Sequence, residues 1–216
     1  MSVDRIHAGW RAPANIVAGT TTRAGGTSEL PSEPLWLNQV HGATVLRSDD
    51  PAFSGDPPDA DAAVSFKANE VIAVRTADCL PVLLCTTAGE EIAAVHCGWR
   101  GLAAGILANT VAAMKAQPAD LIAWLGPAIS QAAYEVGDDV REAFVAADEA
   151  TAVCFVPNAR GRWQADLYGL ARLQLATAGV SHIYGGGFCT FTDSDRFFSY
   201  RRDRDTGRMV SYIYRR

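Results

Sequence analysis

The chain has 216 residues, of which 49% are hydrophobic and 20% are charged, and its formal net charge is −5 at pH 7. A chain of this length can bury a substantial core in one unit, and we expect residues 1–216 to form a single domain. The acidic balance argues against a nucleic-acid partner, because proteins that bind the phosphate backbone usually carry a basic face.

The sequence also argues against a membrane or secreted protein. No run of about 18 uninterrupted apolar residues predicts a membrane span, and the N-terminal stretch MSVDRIHAGWRAPANIV lacks the apolar segment of a signal peptide. The five cysteines have no short paired spacing, which fits a reducing compartment better than a disulfide framework. We therefore expect a cytoplasmic protein; the sequence does not indicate its oligomeric state.

The first half of the chain predicts strands that lead to one long helix. A turn-rich segment runs to about Pro58, and within it PLWLNQVHGATVLR predicts a strand on each side of a turn. The short apolar runs EVIAVRTADC, PVLLCTT and EIAAVHC predict buried strands. The spacing of apolar residues in GLAAGILANTVAAMKAQ predicts a helix that ends before Pro118.

The second half predicts a further strand, two helices and a strand-rich tail. DLIAWLGP predicts the strand, and GDDVREAFVAAD and DLYGLARLQLATAG predict helices, the second ending at Gly179. The tail, from SHIYGGGFCTF to FFSYRRDRDTGRMVSYIYRR, has the aromatic and β-branched residues of strands around a DTG turn. Because strands and helices alternate without strict βαβ regularity, we predict a single α/β or α+β domain with a mixed sheet.

Three residues that could ligate a metal lie at the ends of predicted strands, each within two residues of glycine or proline: His41, Cys79 and His96. Side chains at strand ends can converge on a cleft without disturbing the core. Two imidazoles and one thiolate suit Zn²⁺, and three protein ligands leave its fourth tetrahedral position open. The spacings of 38 and 17 residues match no compact zinc finger, so an alternative is that all three are structural residues.

Two functional alternatives rest on the same residues. Cys79 with His41 or His96 could be the nucleophile and base of a hydrolase, such as an amidase that edits cell-wall precursors. The chain could also be a non-catalytic protein that binds a small molecule. A multicopper oxidase is excluded, because its trinuclear cluster needs many more imidazoles than the four histidines present.

Polar residues near these ligands suggest further roles. Arg100 lies near the start of a predicted helix, where backbone N–H groups favour an anion, and Arg23 beside two glycines could hold a phosphate. Asp78 precedes Cys79 and could move a proton or orient a ligand. Structural roles, as surface arginines and a turn cap, are the alternative for these three. Weaker candidates are Asp59 and Asp61 as supporting acids and Arg201 and Arg202 as further phosphate ligands, although alternating charge of this kind more often marks a solvated strand edge. Cys189 is more typical of a core residue than of a ligand.

Nine sequence blocks, in this order, resemble the bacterial laccase-domain family, once labelled multicopper polyphenol oxidases. They are TTRAGG, LNQVHGATV, DADAAVS, TADCLPVLL, AAVHCGWRGLAAGI, LGPAIS, YEVG, FCTF and FFSYRRDRDTGRM. The likeness runs from about Thr20 to the C-terminus, and a set of blocks this long is far more specific than any metal-ligand spacing.

The resemblance implies a layered α/β/β/α fold with mixed sheets and a zinc site formed by His41, Cys79 and His96, with copper as an adventitious occupant. It also implies phosphorolysis of adenosine, inosine, guanosine and methylthioadenosine, together with hydrolytic deamination of adenosine. The partners implied are purine nucleosides and inorganic phosphate. On this basis we predict that Arg23 and Arg100 bind phosphate and that Asp78 and Arg100 act in catalysis.

One departure from the family is expected to matter. Family members usually have a longer segment after the GG motif, before the strand that carries the first histidine. In this chain TSELPSEPLWLNQVHG crosses that interval directly, with a short segment at residues 28–35. If the longer segment helps to wall the cleft, its absence would weaken substrate binding.

Overall fold

The computed structural model describes residues 4–216, which form a mixed α/β fold. The strands are β1 (Arg5–His7), β2 (Ile16–Thr21), β3 (Val45–Arg47), β4 (Ala62–Ser65), β5 (Ile72–Thr76), β6 (Leu80–Thr86), β7 (Ile92–Cys97), β8 (Leu121–Leu125), β9 (Glu135–Val136), β10 (Phe155–Pro157), β11 (Trp163–Ala165), β12 (His182–Gly185) and β13 (Met209–Arg215). The α-helices are α1 (Trp99–Ala103), α2 (Ile106–Ala113), α3 (Asp138–Val145), α4 (Leu167–Thr177) and α5 (Tyr200–Asp203). Short 3-10 helices cover Pro51–Ser54, Pro118–Asp120, Gln131–Ala133 and Glu149–Cys154.

Two larger sheets and one small sheet organise these strands. The six-stranded sheet has the order β12-β8-β6-β7-β4-β3 and mixes parallel and antiparallel pairs, whereas the four-stranded sheet, β1-β2-β13-β5, is antiparallel throughout. A three-stranded antiparallel sheet, β10-β11-β9, lies apart from both. The mixed α/β fold with a mixed sheet that the sequence predicts is confirmed.

The core lies on both faces of the six-stranded sheet. Along β6, Val82 and Leu84 belong to the cluster that includes residues of α1, α2, α3 and α4, while Leu83 and Cys85 pack with residues of the four-stranded sheet. Side chains alternate across a strand, so a strand covered on both faces needs a continuous apolar run. This is why PVLLCTT has no polar alternation.

The long helix predicted after His96 is divided in two. The chain passes through Gly105 at φ 83°, a left-handed conformation that glycine adopts without steric cost, and this separates α1 from α2. The prediction of one continuous helix is therefore wrong at this point, although both pieces contribute buried side chains to the core.

The tail also differs from its prediction. SYRRD, interpreted as a solvated strand edge, instead contains the short helix α5, whose first turn is capped because the Ser199 side chain accepts a hydrogen bond from the Arg202 N–H. The strand predicted after the DTG turn is confirmed as β13. Within residues 4–216, every helix is too short or too polar to cross a bilayer.

Candidate metal and anion site

His41, Cys79 and His96 come together in the structure. Their ligand atoms all lie within 4.8 Å of one another, and the two imidazole rings meet edge to face with centroids 4.7 Å apart. His96 is buried, Cys79 is partly buried and His41 is exposed. The cluster is therefore closed on the side of His96 and open on the side of His41.

The antiparallel pairing of β6 with β7 brings two of the ligands together. The register places Leu80 opposite Cys97 and Pro81 opposite His96. Cys79, which immediately precedes β6, therefore reaches the end of β7 that carries His96. Sequence separation is not an obstacle here, because the two strands form a hairpin and their outer ends meet.

His41 reaches the cluster from a loop that is held in place by Asp61. The Asp61 carboxylate is fully buried; Oδ1 accepts from the His41 N–H at 3.0 Å, and Oδ2 accepts from the Gly42 N–H at 2.6 Å. Oδ1 also lies 2.7 Å from Nδ1 of His96. One carboxylate thus fixes the loop of one histidine and the ring of the other, and it leaves Nε2 of His96 to face the cluster.

Gly98 forms the floor of the cluster. A Cβ at this position would lie 2.9 Å from Cδ2 of His41 and 3.3 Å from Sγ of Cys79, so the site has no room for a side chain. Ligand atoms around a tetrahedral zinc ion lie roughly 3.5 Å apart, given metal–ligand distances of about 2.0–2.3 Å. The donor set and the close backbone therefore fit a single metal ion with one coordination position left for another ligand.

The electrostatics of the metal-free cluster favour a thiolate. Burial opposes ionisation of Cys79, but hydrogen bonds from His41 and His96 outweigh it and lower the pKa of the thiol to about 6. Burial likewise disfavours the imidazolium form of His96, but hydrogen bonds to Asp61 and Cys79 raise its pKa to about 9. The Asp61 pKa is lowered despite burial, chiefly by its hydrogen bond with His96.

The cluster opens into a cavity of about 590 Å³, a volume in the range of small-molecule sites. Its walls combine the metal-ligand cluster with aromatic, amide and basic side chains. The lining residues are Leu37, Asn38, Gln39, His41, Arg75, Thr76, Ala77, Asp78, Cys79, His96, Ile129, Tyr134, Tyr200, Arg201 and Arg208.

Three arginines line this cavity, and two of them were not predicted. The Arg75 guanidinium lies 3.8 Å from the centroid of the Trp36 ring, and Arg208 donates to the carbonyl oxygens of Thr206 and Gly207. Arg201, a weaker candidate in the sequence, donates to the Glu135 carbonyl oxygen at 2.9 Å. Three guanidinium groups around one cavity would favour an anion there.

Arg23 and Arg100 do not line the cavity. Arg23 lies over the Phe198 ring at 4.9 Å and donates to the Ser194 carbonyl oxygen, and exposed Arg100 lies 4.5 Å from the centroid of the Trp99 ring. Their predicted roles with phosphate remain predictions. Asp78 does line the cavity, but both of its carboxylate oxygens already accept hydrogen bonds.

The sequence contains signals for some of the residues that were missed. Arg75 is the one charged residue in the apolar strand IAVRT, and it is exposed while its strand neighbours are buried. A charge within a buried strand is costly unless it faces a polar space. Asp61 was named in the sequence as a weaker candidate for a supporting acid, and it contacts both the loop of His41 and the ring of His96. Gly98 was not predicted, because only the assembled fold shows what it touches.

Comparison with known proteins agrees with the motifs. Residues 14–216 match the family described as multi-copper polyphenol oxidoreductase laccase. The Escherichia coli K12 protein named purine nucleoside phosphorylase YfiH is 43% identical over 95% of this chain and 96% of its own length, and the Pseudomonas aeruginosa protein named purine nucleoside phosphorylase PA4543 is 43% identical over the same shares. The first alignment spans 239 positions, more than this chain has residues, so the relative contains positions without a counterpart here.

Solved structures agree as well. The Neisseria meningitidis protein NMB0706 superposes with a TM-score of 0.91 at 42% identity, covering 99% of both chains. YlmD from Geobacillus stearothermophilus superposes with a TM-score of 0.80 at 30% identity, covering 94% of this chain and 93% of its own. The chain therefore belongs to the laccase-like family whose model matches residues 14–216, as its sequence blocks predict.

Proposed function

We propose that this chain is a zinc-dependent purine nucleoside phosphorylase that also deaminates adenosine. The observation that carries the proposal is the meeting, in one cavity, of the cluster of His41, Cys79 and His96 with a group of arginines. The names of relatives that align over nearly the whole chain support it. The proposed nucleosides are adenosine, inosine, guanosine and methylthioadenosine, and the proposed compartment is the cytoplasm.

The metal ligands and the arginines suit the two halves of the phosphorolysis reaction. Inorganic phosphate attacks C1′ of the ribose, the C1′–N9 bond breaks, its electron pair leaves with the purine, and a proton then neutralises the base. We assign phosphate binding to Arg75, Arg201 and Arg208, because guanidinium groups recognise phosphate by paired N–H donors. Zinc, when bound, would supply Lewis-acid chemistry at its open fourth position.

The aromatic side chains of the cavity suit the base and the sugar. Tyr134 and Tyr200 line the cavity with Leu37 and Ile129, and flat apolar groups are what a purine ring stacks against. Burial raises the pKa of the Tyr134 phenol, so this side chain stays protonated and can donate a hydrogen bond at neutral pH. For deamination, the oxygen of water bonds to C6 of adenine and the C6–N6 bond breaks. The amino group leaves as ammonia with one proton of the water, and the other proton stays on the purine ring.

The direct test combines metal content with turnover. Purified protein is given inosine with and without inorganic phosphate, and release of hypoxanthine and ribose 1-phosphate is measured. We expect turnover only with phosphate, and loss of both zinc and turnover in Cys79→Ala. Cys189→Ala is the matched control, since Cys189 is also a free, partly buried thiol but lies outside the cluster. Full zinc content and turnover in Cys79→Ala would overturn the proposal.

A second experiment separates the zinc enzyme from a Cys–His hydrolase. A chelator removes the metal and should abolish activity, which readdition of zinc restores. A hydrolase with Cys79 as nucleophile would tolerate the chelator, because its thiolate acts directly. Ligand-dependent stabilisation without turnover of any nucleoside would indicate the non-catalytic alternative.

The KM for phosphate distinguishes the arginines of the cavity from Arg23 and Arg100 as phosphate ligands. We expect Arg75→Ala and Arg208→Ala to raise the KM for phosphate by about tenfold each, the scale of one lost charged hydrogen bond. Arg23→Ala and Arg100→Ala test the earlier assignment with the same readout. A larger KM change in the second pair than in the first would return phosphate binding to Arg23 and Arg100.

A further inference from the structure

Asp78 connects two parts of the chain that are far apart in sequence. It lies between β5 and β6, where the chain passes from the four-stranded to the six-stranded sheet. Its Oδ1 accepts from Oγ1 of Thr190 at 2.6 Å, and its Oδ2 accepts from Oγ of Ser199 at 3.0 Å and from the Arg201 N–H at 2.7 Å. All three donors belong to the C-terminal segment of residues 190–201.

The backbone at Asp78 is also unusual. Its φ is 96°, which L-residues rarely adopt, and aspartate and asparagine tolerate positive φ better than most residues. The Asp78 carbonyl oxygen accepts from the Ile129 N–H at 3.0 Å, and the side chains of Thr190 and Ser199 are fully buried. Asp78 is therefore held at the centre of a largely buried network of hydrogen bonds at the wall of the cavity.

This network ends at the anion side of the cavity. Arg201 lines the cavity, and its backbone N–H donates to Asp78. Its guanidinium donates to the Glu135 carbonyl oxygen at 2.9 Å and lies 5.2 Å from the centroid of the Tyr134 ring. On the other side, Asp78 is joined to the metal-ligand candidate Cys79 by one peptide bond. This carboxylate therefore links the metal side of the cavity to the side that carries Arg201.

We propose that Asp78 is a positioning residue that acts on phosphate binding through Arg201, and not the acid that transfers a proton. The inference rests on the proposed phosphorylase function. Oδ1 accepts one hydrogen bond from the protein and Oδ2 accepts two, so three of the roughly four acceptor positions of the carboxylate hold the C-terminal segment in place. The same three contacts fix where Arg201 enters the cavity.

The variants are chosen so that backbone strain and charge are tested separately. Asp78→Asn keeps the size and the tolerance of positive φ, but it turns an NH₂ group toward one set of donors. Asp78→Gly removes the strain together with the carboxylate. We expect both to retain zinc and to raise the KM for phosphate by about tenfold, with an unchanged pH profile of kcat. Asp205→Asn, an exposed carboxylate in the turn after α5, is the control and should match the wild type.

A double-mutant cycle with Arg201→Ala tests whether Asp78 affects the KM for phosphate through the Arg201 side chain. If Asp78 acts through the Arg201 side chain, Asp78→Asn adds little to the KM for phosphate once that side chain is gone. Equal multiplication of KM in both backgrounds would mean general distortion and would overturn the proposal. A fall in kcat with loss of one limb of its pH profile, at unchanged KM, would overturn it in favour of proton transfer.

The positioning role of Asp78 can also be tested if the phosphorylase proposal fails. Should the wild type release no base from inosine, the same variants are compared by calorimetric titration with inorganic phosphate alone. Weaker phosphate binding in Asp78→Asn, and no further loss when Arg201→Ala is added, supports the positioning role independently of turnover. Failure of the wild type to bind phosphate, or equal affinity in Asp78→Asn, overturns it.

Discussion

Replacement of Asp61 by asparagine tests how the metal-ligand cluster is held together. In the native structure one fully buried carboxylate faces three N–H groups: the ring Nδ1 of His96 and the backbone amides of His41 and Gly42. An asparagine of the same shape has a single acceptor oxygen, and its NH₂ group must face a donor in either orientation. The substitution therefore cannot satisfy all three N–H groups.

The two orientations of the introduced amide have different consequences: one lowers the stability of the fold, and the other prevents His96 from ligating a metal. With its oxygen toward His96, the NH₂ group faces the Gly42 N–H, and one unpaired buried donor costs about 1–3 kcal/mol. With its NH₂ group toward His96, Nδ1 must become an acceptor, so Nε2 carries the proton and cannot ligate a metal. We expect the free energy of unfolding of the metal-free protein to fall by about 2 kcal/mol. We expect zinc affinity to fall by about 10–100-fold.

Asp59→Asn is the matched control for this prediction. Asp59 lies two residues away and is exposed, and its carboxylate accepts a 2.6 Å hydrogen bond from Nδ2 of Asn38. Zinc affinity is measured by competition with a chromogenic chelator, and stability by urea unfolding of the metal-free protein. Wild-type zinc affinity in Asp61→Asn would refute the argument that this carboxylate orients the ligands.

Two further predictions concern the same cluster. Gly98→Ala would place a Cβ 2.9 Å from the His41 ring, so the ring must move. We expect zinc affinity, measured by chelator competition, to fall by about tenfold. Gly26→Ala, where a Cβ meets nothing within 4 Å, should keep the wild-type affinity. In the metal-free protein, the pKa of Cys79 is lowered to about 6 and the pKa of His96 is raised to about 9, so between these values the thiol is ionised and the imidazole is protonated. Zinc binding at pH 7.5 should therefore release about one proton, from the imidazole. Calorimetry in buffers of different ionisation enthalpy measures this number, and release of two protons would show that the thiol was not ionised beforehand.

The same pKa shifts define how the pair contributes to folding of the metal-free protein. The lowered pKa of Cys79 stabilises the fold above the ordinary thiol pKa, and that contribution is lost as the pH falls through about 6. The raised pKa of His96 stabilises the fold below the ordinary imidazole pKa, and that contribution is lost as the pH rises through about 9. The thiolate–imidazolium pair is therefore complete only between these two values.

Local sequence was sufficient to predict the buried strands and the metal-ligand candidates. Strands such as β6 have a continuous apolar run because both faces are covered, and this pattern does not depend on the partner strand. His41, Cys79 and His96 stood out because rare ligand-type residues were placed at strand ends. Both signals can be recognised within about ten residues of sequence.

The group of arginines that lines the cavity could not be predicted in this way, because it depends on strand register. The pairing of β13 with β5 places Val210 opposite Arg75 and Met209 opposite Thr76. Arg208, which immediately precedes β13, is thereby brought toward the same end of the sheet as Arg75. Nothing near either arginine in the sequence indicates the other, since 132 residues separate them. Arg23 beside two glycines had the stronger local pattern and yet lies outside the cavity.

The cavity lies where strands of both larger sheets end, and this arrangement brings the metal-ligand candidates and the arginines together. The metal-ligand candidates come mainly from the hairpin of β6 and β7, and two of the arginines come from the ends of β5 and β13. The segment from Ala77 to Cys79 joins β5 of one sheet to β6 of the other, and its central residue, Asp78, accepts a hydrogen bond from the Arg201 backbone N–H. A reaction between an anionic nucleophile and a substrate activated by a cation needs both groups at a fixed separation. In this fold, that separation is set by two strand registers and one short connection, so a change of register in either sheet would separate the two sites.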